Sequence, residues 1–125
     1  MKDELFSYLQ SEGLQPRIDE DGDIAFKYQM LNFCFLIDED DKQFFRLAMP
    51  NIFGIDENNR IEVLEACNAV TRGIKVAKAI AYEKSVWIMC EQLIDSTPNY
   101  ADIVPRSLKI SIDARARFIE EISKS

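Results

Sequence analysis

The chain has 125 residues, 47% of them hydrophobic and 30% charged, and a formal net charge of −7. This length and composition are typical of one globular domain spanning residues 1–125. No apolar run approaches the roughly 18 residues that a membrane span needs, and the polar start lacks the apolar segment of a signal peptide. We therefore expect a cytoplasmic protein that does not contact a membrane.

The charge is spread unevenly along the chain. Residues 1–65 hold 15 acids and 6 bases, whereas residues 66–125 hold 7 acids and 9 bases. Binding to nucleic acid requires clustered Lys and Arg that neutralise phosphates, so we expect no nucleic-acid partner. Acidic residues interleave with the one basic strip, which predicts a solvated helix face; the strip consists of Arg106, Lys109, Arg115, Arg117 and Lys124.

The first half of the chain predicts a helix followed by four strands. Leu5 and Leu9 lie at helical spacing, and Gly13 supplies a stop, so residues 3–12 are predicted to be helical. Alternating apolar residues then predict an antiparallel meander within residues 16–49, with Asp21-Gly22 as a two-residue type I′ turn. A second turn is placed at 30–32, with Asn32 left-handed, and Pro50 closes the fourth strand because proline cannot donate to a ladder.

The second half predicts a helix, a hairpin and a last helix. Asp56 is the predicted N-cap of a helix over 57–72, with one face formed by Ile61, Leu64, Cys67, Asn68 and Thr71. Segments 74–82 and 86–93 are predicted to form a hairpin around Lys84-Ser85. Thr97-Pro98 is predicted to begin the last helix. Pro105 either kinks this helix or marks its true start. Its apolar positions are Val104, Leu108, Ile112, Ile119 and Ile122. The fold class is α+β, an antiparallel sheet with helices on one face, in the order α-β-β-β-β-α-β-β-α.

The residue types argue against catalysis. The chain has no histidine, which excludes Ser-His-Asp and Cys-His chemistry, and its four glycines are too scattered for a phosphate loop. Asp19 and Asp21 precede Gly22 as in a calcium loop, but Arg17 and Tyr28 occupy the first and last ligand positions. We therefore expect no enzyme, no cofactor and no metal. The odd set of cysteines, Cys34, Cys67 and Cys90, is typical of small buried hydrophobes.

Four residues are candidate contacts with a partner or ligand: Asn68, Lys78, Glu91 and Trp87. Asn68 interrupts an apolar helix face, and a buried amide needs hydrogen-bond partners. A two-residue turn at Lys84-Ser85 would place Lys78 opposite Glu91 and Tyr82 opposite Trp87. A structural cross-strand ion pair and a contact with a partner or ligand both remain open for Lys78 and Glu91.

Several segments together resemble the bacterial family of sensory transduction regulators, whose domain is similar to the type III secretion chaperone fold. These segments are residues 16–26 with the Asp-Gly turn, 33–37, the helix with Ala66-Cys67-Asn68, 75–79 and 86–91. The resemblance implies a type III secretion chaperone-like fold and a small acidic homodimer that handles other proteins without catalysis.

The leading functional hypothesis is a non-catalytic protein-interaction domain, chaperone-like or regulatory. Its partners would be a second copy of the chain and a client or regulatory protein. The alternative is a small-molecule-sensing domain with a pocket between helix and sheet, lined by aromatic residues such as Phe26, Tyr28 and Trp87.

Overall fold

The computed structural model describes residues 1–124 and confirms the predicted α+β class and element order. All six strands form one antiparallel sheet in the order β1-β2-β3-β4-β6-β5, so residues 17–49 make the predicted meander. The elements are α1 (Lys2–Ser11), β1 (Arg17–Ile18), β2 (Ile24–Tyr28), β3 (Leu31–Phe35), β4 (Phe44–Gly54), α2 (Arg60–Gly73), β5 (Ala77–Ala81), β6 (Ser85–Leu93) and α3 (Tyr100–Ser123).

The hydrophobic core lies between the three helices and one face of the sheet. Side chains of a strand alternate between its two faces, and the core residues of β2, β3, β4, β5 and β6 lie at every second position. Phe26, Phe35 and Phe45 form an aromatic row in which neighbouring ring centroids are 5.4 and 5.3 Å apart. The helices contribute Leu5 and Leu9 from α1, Val63, Ala66, Cys67 and Val70 from α2, and Val104, Leu108, Ala114 and Phe118 from α3.

The turn between β1 and β2 differs from the predicted two-residue type I′ turn. The Asp19 amide donates to the Asp23 carbonyl at 2.9 Å, so the loop contains three residues, and only Gly22 has a positive φ, of 82°. A three-residue hairpin of this kind needs a left-handed residue at its last loop position. The Asp-Gly signal therefore located the hairpin correctly but gave the wrong loop length.

The turn between β2 and β3 lies one to two residues earlier than predicted. Gln29 and Met30 both have positive φ, 51° and 66°, and Asn32 is a strand residue paired with Lys27. Two consecutive positive φ angles define the type I′ turn, which normally uses Asn and Gly. Neither Gln nor Met favours this conformation, so no local signal indicates the turn.

We expect the double substitution Gln29→Asn and Met30→Gly to stabilise the protein. Gly removes the steric cost of a side chain at φ 66°, and Met30 is 95% exposed, so no packing is lost. Chemical denaturation should show about 1 kcal/mol more free energy of unfolding. The reverse control, Gln29→Val, places a β-branched residue at positive φ and should lower stability; equal stability of both variants would contradict the turn assignment.

Strand β4 continues past Pro50, where the sequence predicted its end. The ladder to β6 is irregular between Met49 and Phe53, and Asn51 has a φ of 52°. A bulge is one of the few places where a strand tolerates proline, because no ladder hydrogen bond is required there. Pairing then resumes, with Phe53 opposite Val86.

Both long helices start later than predicted. The Asp56 carboxylate accepts hydrogen bonds from the amides of Asn58 and Asn59, which forms a turn before α2 begins at Arg60. Asn59 is the N-cap position of α2. Helix α3 begins at Tyr100, where the Asn99 side chain accepts from the Ala101 amide, so Thr97-Pro98 lies outside it. Pro105 therefore lies inside the helix and does not start it.

Within residues 1–124, no helix is both long enough and apolar enough to cross a membrane.

Candidate functional site

The side chains that point away from the helices form a surface that we call the open face. One row crosses the sheet through the paired residues Ala25, Cys34, Ala48, Met89 and Lys78. Ala48 and Met89 are fully buried although they lie outside the helix-side core cluster. Their side chains point to the open face, so neighbouring residues on that face cover them.

An ion-pair cluster adjoins this row and includes its last residue, Lys78. Arg46 Nε is 2.9 Å from Glu91 Oε2, and Lys78 Nζ is 2.5 Å from Glu91 Oε1, so one carboxylate holds two cations. The Glu91 side chain is 17% exposed. The Arg46 guanidinium also lies 5.3 Å from the centroid of the Phe44 ring, a cation–π contact.

The predicted contact between Lys78 and Glu91 exists, but the predicted register is wrong by two residues. Lys78 pairs with Met89 and Ile80 pairs with Trp87, because the turn contains Glu83 and Lys84. A shift of two residues keeps each side chain on its face of the sheet, so Lys78 still reaches Glu91 diagonally. The residue directly opposite Glu91 is Arg46, which the sequence analysis did not single out because strands β4 and β6 are distant in the chain.

Tyr82 and Trp87 contact each other diagonally in the same way. Their ring centroids are 5.4 Å apart in an edge-to-face arrangement, although Tyr82 was predicted to lie directly opposite Trp87. The indole Nε1 donates to Asn51 Oδ1 at 3.2 Å, and the Ser85 hydroxyl donates to the same oxygen at 2.7 Å. Asn51 at the bulge of β4 thus fixes the orientation of Trp87 on the open face.

Asn68 lies outside the open face, and its role as a contact with a partner or ligand stays a prediction. It is exposed on α2, and Ile61 and Leu64 are 72% and 49% exposed, so the predicted apolar face of this helix is its solvent side. Only Cys67 of the predicted face lies in the core. Thr71 is exposed but donates to the Ala79 carbonyl at 3.4 Å and accepts from the Ala79 amide at 3.0 Å. The prediction failed because α2 carries apolar residues on two adjacent faces, and the face with Val63 and Val70 is the one that packs in the core.

Burial and the two cations act in opposite directions on Glu91. Burial alone would raise the pKa of this carboxyl, but the hydrogen bonds from Lys78 and Arg46 outweigh it and lower the pKa below the ordinary 4.5. A carboxyl whose folded pKa is lowered stabilises the fold above its unfolded pKa. This contribution is lost as the pH falls through the folded pKa.

We expect Glu91→Gln to lower the free energy of unfolding by about 1–2 kcal/mol at pH 7, since the cluster is half-buried. The difference from the unsubstituted protein should shrink below pH 4.5, the ordinary value for the carboxyl. Urea denaturation between pH 3 and pH 7 measures this difference. Glu57→Gln, at an exposed residue without an ion pair in the described chain, is the matched control. A difference that grows toward acid pH would contradict the assigned ion pairs.

Three side chains converge at one corner of the open face. One ligand atom each from Asp19, Asp23 and Cys34 lies within 4.8 Å of the others. The second oxygens are occupied: Asp19 Oδ1 accepts from the Asp21 and Asp23 amides, and Asp23 Oδ1 accepts from the Ile37 amide. Burial, followed by the two carboxylates, raises the pKa of the Cys34 thiol to about 12. These residues are the ones that could contact a metal ion, but a protonated thiol is a poor ligand.

All three cysteines are buried, as the sequence predicted. Burial raises the pKa of the Cys67 thiol to about 11, and burial also raises the pKa of Cys90. The thiolate is the reactive form, so none of the three has the character of a nucleophile at neutral pH.

The three aromatic residues predicted to line a sensing pocket do not share a cavity between helix and sheet. The Phe26 ring stacks on Phe33 within the core, whereas the Trp87 side chain lies on the open face. A cavity of about 300 Å³ touches both Phe26 and Trp87, but its other lining includes the acidic corner. Tyr28 instead lines a cavity of about 200 Å³ with residues of α1 and α3. The aromatic-lined form of the sensing hypothesis stays a prediction, because Tyr28 and Trp87 line different cavities.

Comparison with known proteins identifies the fold and no function. No family model matches the chain, and no curated protein matches it. Among solved structures, the crystal structure of an uncharacterized protein from Methanothermobacter thermautotrophicus aligns with a TM-score of 0.71 at 11% sequence identity. The alignment covers 98% of this chain and 96% of that chain. The similarity shows that the two proteins share the fold.

Proposed function

We propose that the protein is a non-catalytic protein-interaction domain that acts as a homodimer in the cytoplasm. The observation that carries this proposal is the open face, which no helix within residues 1–124 covers and on which half-buried Phe44, Ile80 and Trp87 lie beside the Glu91 ion-pair cluster. Partly exposed aromatic and aliphatic side chains bordered by charges are typical of protein interfaces. The chaperone-like or regulatory role implied by the family resemblance is part of the same proposal.

A second copy of the chain is the proposed first occupant of the open face. Two-fold symmetric dimers are the commonest soluble oligomers, and they bury the same patch of both subunits. The cytoplasmic setting agrees with three free, buried cysteines, because disulfides are rare in that compartment.

Light scattering coupled to size exclusion tests the dimer. At micromolar concentration we expect about twice the 14.4 kDa mass of one chain. A monomer in which a soluble quencher does not reach the fluorescence of Trp87 would show that the chain covers its own sheet and would contradict the proposal.

A partner beyond the second copy is tested by affinity capture from the native cell, with the protein and an Ile80→Glu variant as parallel baits. Ile80 lies on the open face beside Trp87. We expect at least one protein to be captured by the unsubstituted bait and lost with the variant. If both baits captured the same proteins, these proteins would not bind through the open face, and the proposal would be contradicted. A metabolite that raises the melting temperature by several degrees without affecting capture would instead favour the sensing hypothesis.

A further inference from the structure

A groove of about 710 Å³ lies away from the open face, between α3 and the connection from α2 to β5. Its volume falls within the range of ~300–1,000 Å³ that is common for small-molecule sites. Apolar side chains from both walls line it, namely Ile74, Val76, Ile103 and Ile110. Gln92 and Ser107 are also part of the lining, joined by a hydrogen bond from Gln92 Nε2 to Ser107 Oγ at 3.2 Å.

The groove exists because β5 begins only at Ala77 and not at residue 74, where the sequence analysis predicted its start. The ladder between β5 and β6 ends at the pair Ala77 and Cys90, so Gln92 has no β5 neighbour. Before Ala77 the chain makes a tight turn in which the Ala77 amide donates to the Lys75 carbonyl at 2.8 Å. Val76, at the centre of this turn, has a φ of 71° and is 51% exposed. A positive φ is a genuine outlier for a β-branched residue, and such strain occurs preferentially at ligand sites.

The charges around the groove are not balanced. Its lining holds three cations and two acids: Asp113 pairs with Lys109 at 3.1 Å, whereas Asp102 accepts only from the neutral side-chain amide of Asn99 at 3.1 Å and keeps its charge, so the lining carries a net charge of +1. Lys75 and Arg106 are exposed and form no ion pair within residues 1–124. Two unpaired cations beside an apolar trough in a protein of net charge −7 are complementary to an anionic head group with an aliphatic tail.

We propose that this groove binds an anionic amphiphile, with its acidic head group held by Lys75 and Arg106 and its tail against Val76, Ile103 and Ile110. This site is separate from the open face, so it does not depend on the protein-interaction role. Fatty acids and other aliphatic carboxylates share the required chemistry.

Three probes of matched size test the proposal by amide shifts in NMR titrations, below the concentrations at which the probes form micelles. We expect decanoate to bind saturably and to shift the amides of Val76, Gln92 and Ile110. Decyltrimethylammonium, with the same tail and the opposite charge, should bind at least tenfold more weakly, and acetate should not bind. Equal binding of both decyl probes would show a non-specific tail effect and overturn the proposal.

Charge reversal in the groove supplies the second arm. The double variant Lys75→Glu and Arg106→Glu should weaken decanoate binding at least tenfold, whereas Lys84→Glu, at an exposed turn position, should change it less than twofold. The neutral double variant with Gln at both positions should weaken decanoate binding to an intermediate degree. It tests the proposal if the charge-reversed variant does not fold. Unchanged affinity in both double variants, or decanoate shifts confined to the open face, would overturn the proposal.

Discussion

Truncating Phe45 to alanine is expected to lower the free energy of unfolding by about 3–5 kcal/mol, the range for large-to-small changes in a core. Phe45 is fully buried, and its ring contacts Phe35 edge-on at a centroid distance of 5.3 Å. Removing it leaves a cavity between the sheet and the helices, because close-packed neighbours relax only partly. For a domain of this size that loss is a large fraction of the total stability.

The neighbouring residue provides the matched control. Phe44 has the same side chain, but it points to the open face, is half-buried and lies against the Arg46 guanidinium. Phe44→Ala should cost about 1 kcal/mol, mainly from the cation–π contact and partial burial. Urea denaturation over a series of protein concentrations separates unfolding from subunit dissociation. A larger loss for Phe44 than for Phe45 in the dissociated protein would mean that the core lies on the other face.

The sequence allowed the parts of the fold that depend on local patterns to be predicted. Alternation of apolar residues identified the meander, and the Asp21-Gly22 signal located its first hairpin. The errors have local causes as well. Gln29 and Met30 adopt a turn that their side chains do not favour. Pro50 lies at a bulge in β4, and no residue type in the sequence predicts this bulge. Element order was therefore predictable, and exact turns were not.

The candidate site was predictable only in part because it depends on pairing between distant strands. Lys78 and Glu91 were found together because the error in register was an even number of residues. Arg46, the second partner of Glu91, reaches it through the β4–β6 pairing, which joins residues 45 positions apart. Asn68 was misplaced because two helical faces of α2 carry apolar residues, and only packing against the sheet decides between them.

The open face and the solvent side of α2 are the two candidate dimer interfaces. A pair of matched substitutions distinguishes them. Ile80→Glu places a carboxylate on the open face, where Ile80 pairs with Trp87. Ile61→Glu makes the same change on α2, where Ile61 is 72% exposed. An unpaired carboxylate buried in an interface costs several kcal/mol. We therefore expect Ile80→Glu to raise the dissociation constant of the dimer about 100-fold or more, since each 1.4 kcal/mol is tenfold.

Analytical ultracentrifugation across nanomolar to micromolar concentrations measures both variants against the unsubstituted protein. Ile61→Glu should leave the dissociation constant within about twofold, because a surface substitution away from the interface has little effect. Circular dichroism and the melting temperature of the dissociated chains confirm that both variants are folded. Dissociation caused by Ile61→Glu and not by Ile80→Glu would assign the interface to α2. That result would leave the open face without its proposed occupant, because a two-fold dimer through α2 buries the helix side of both subunits.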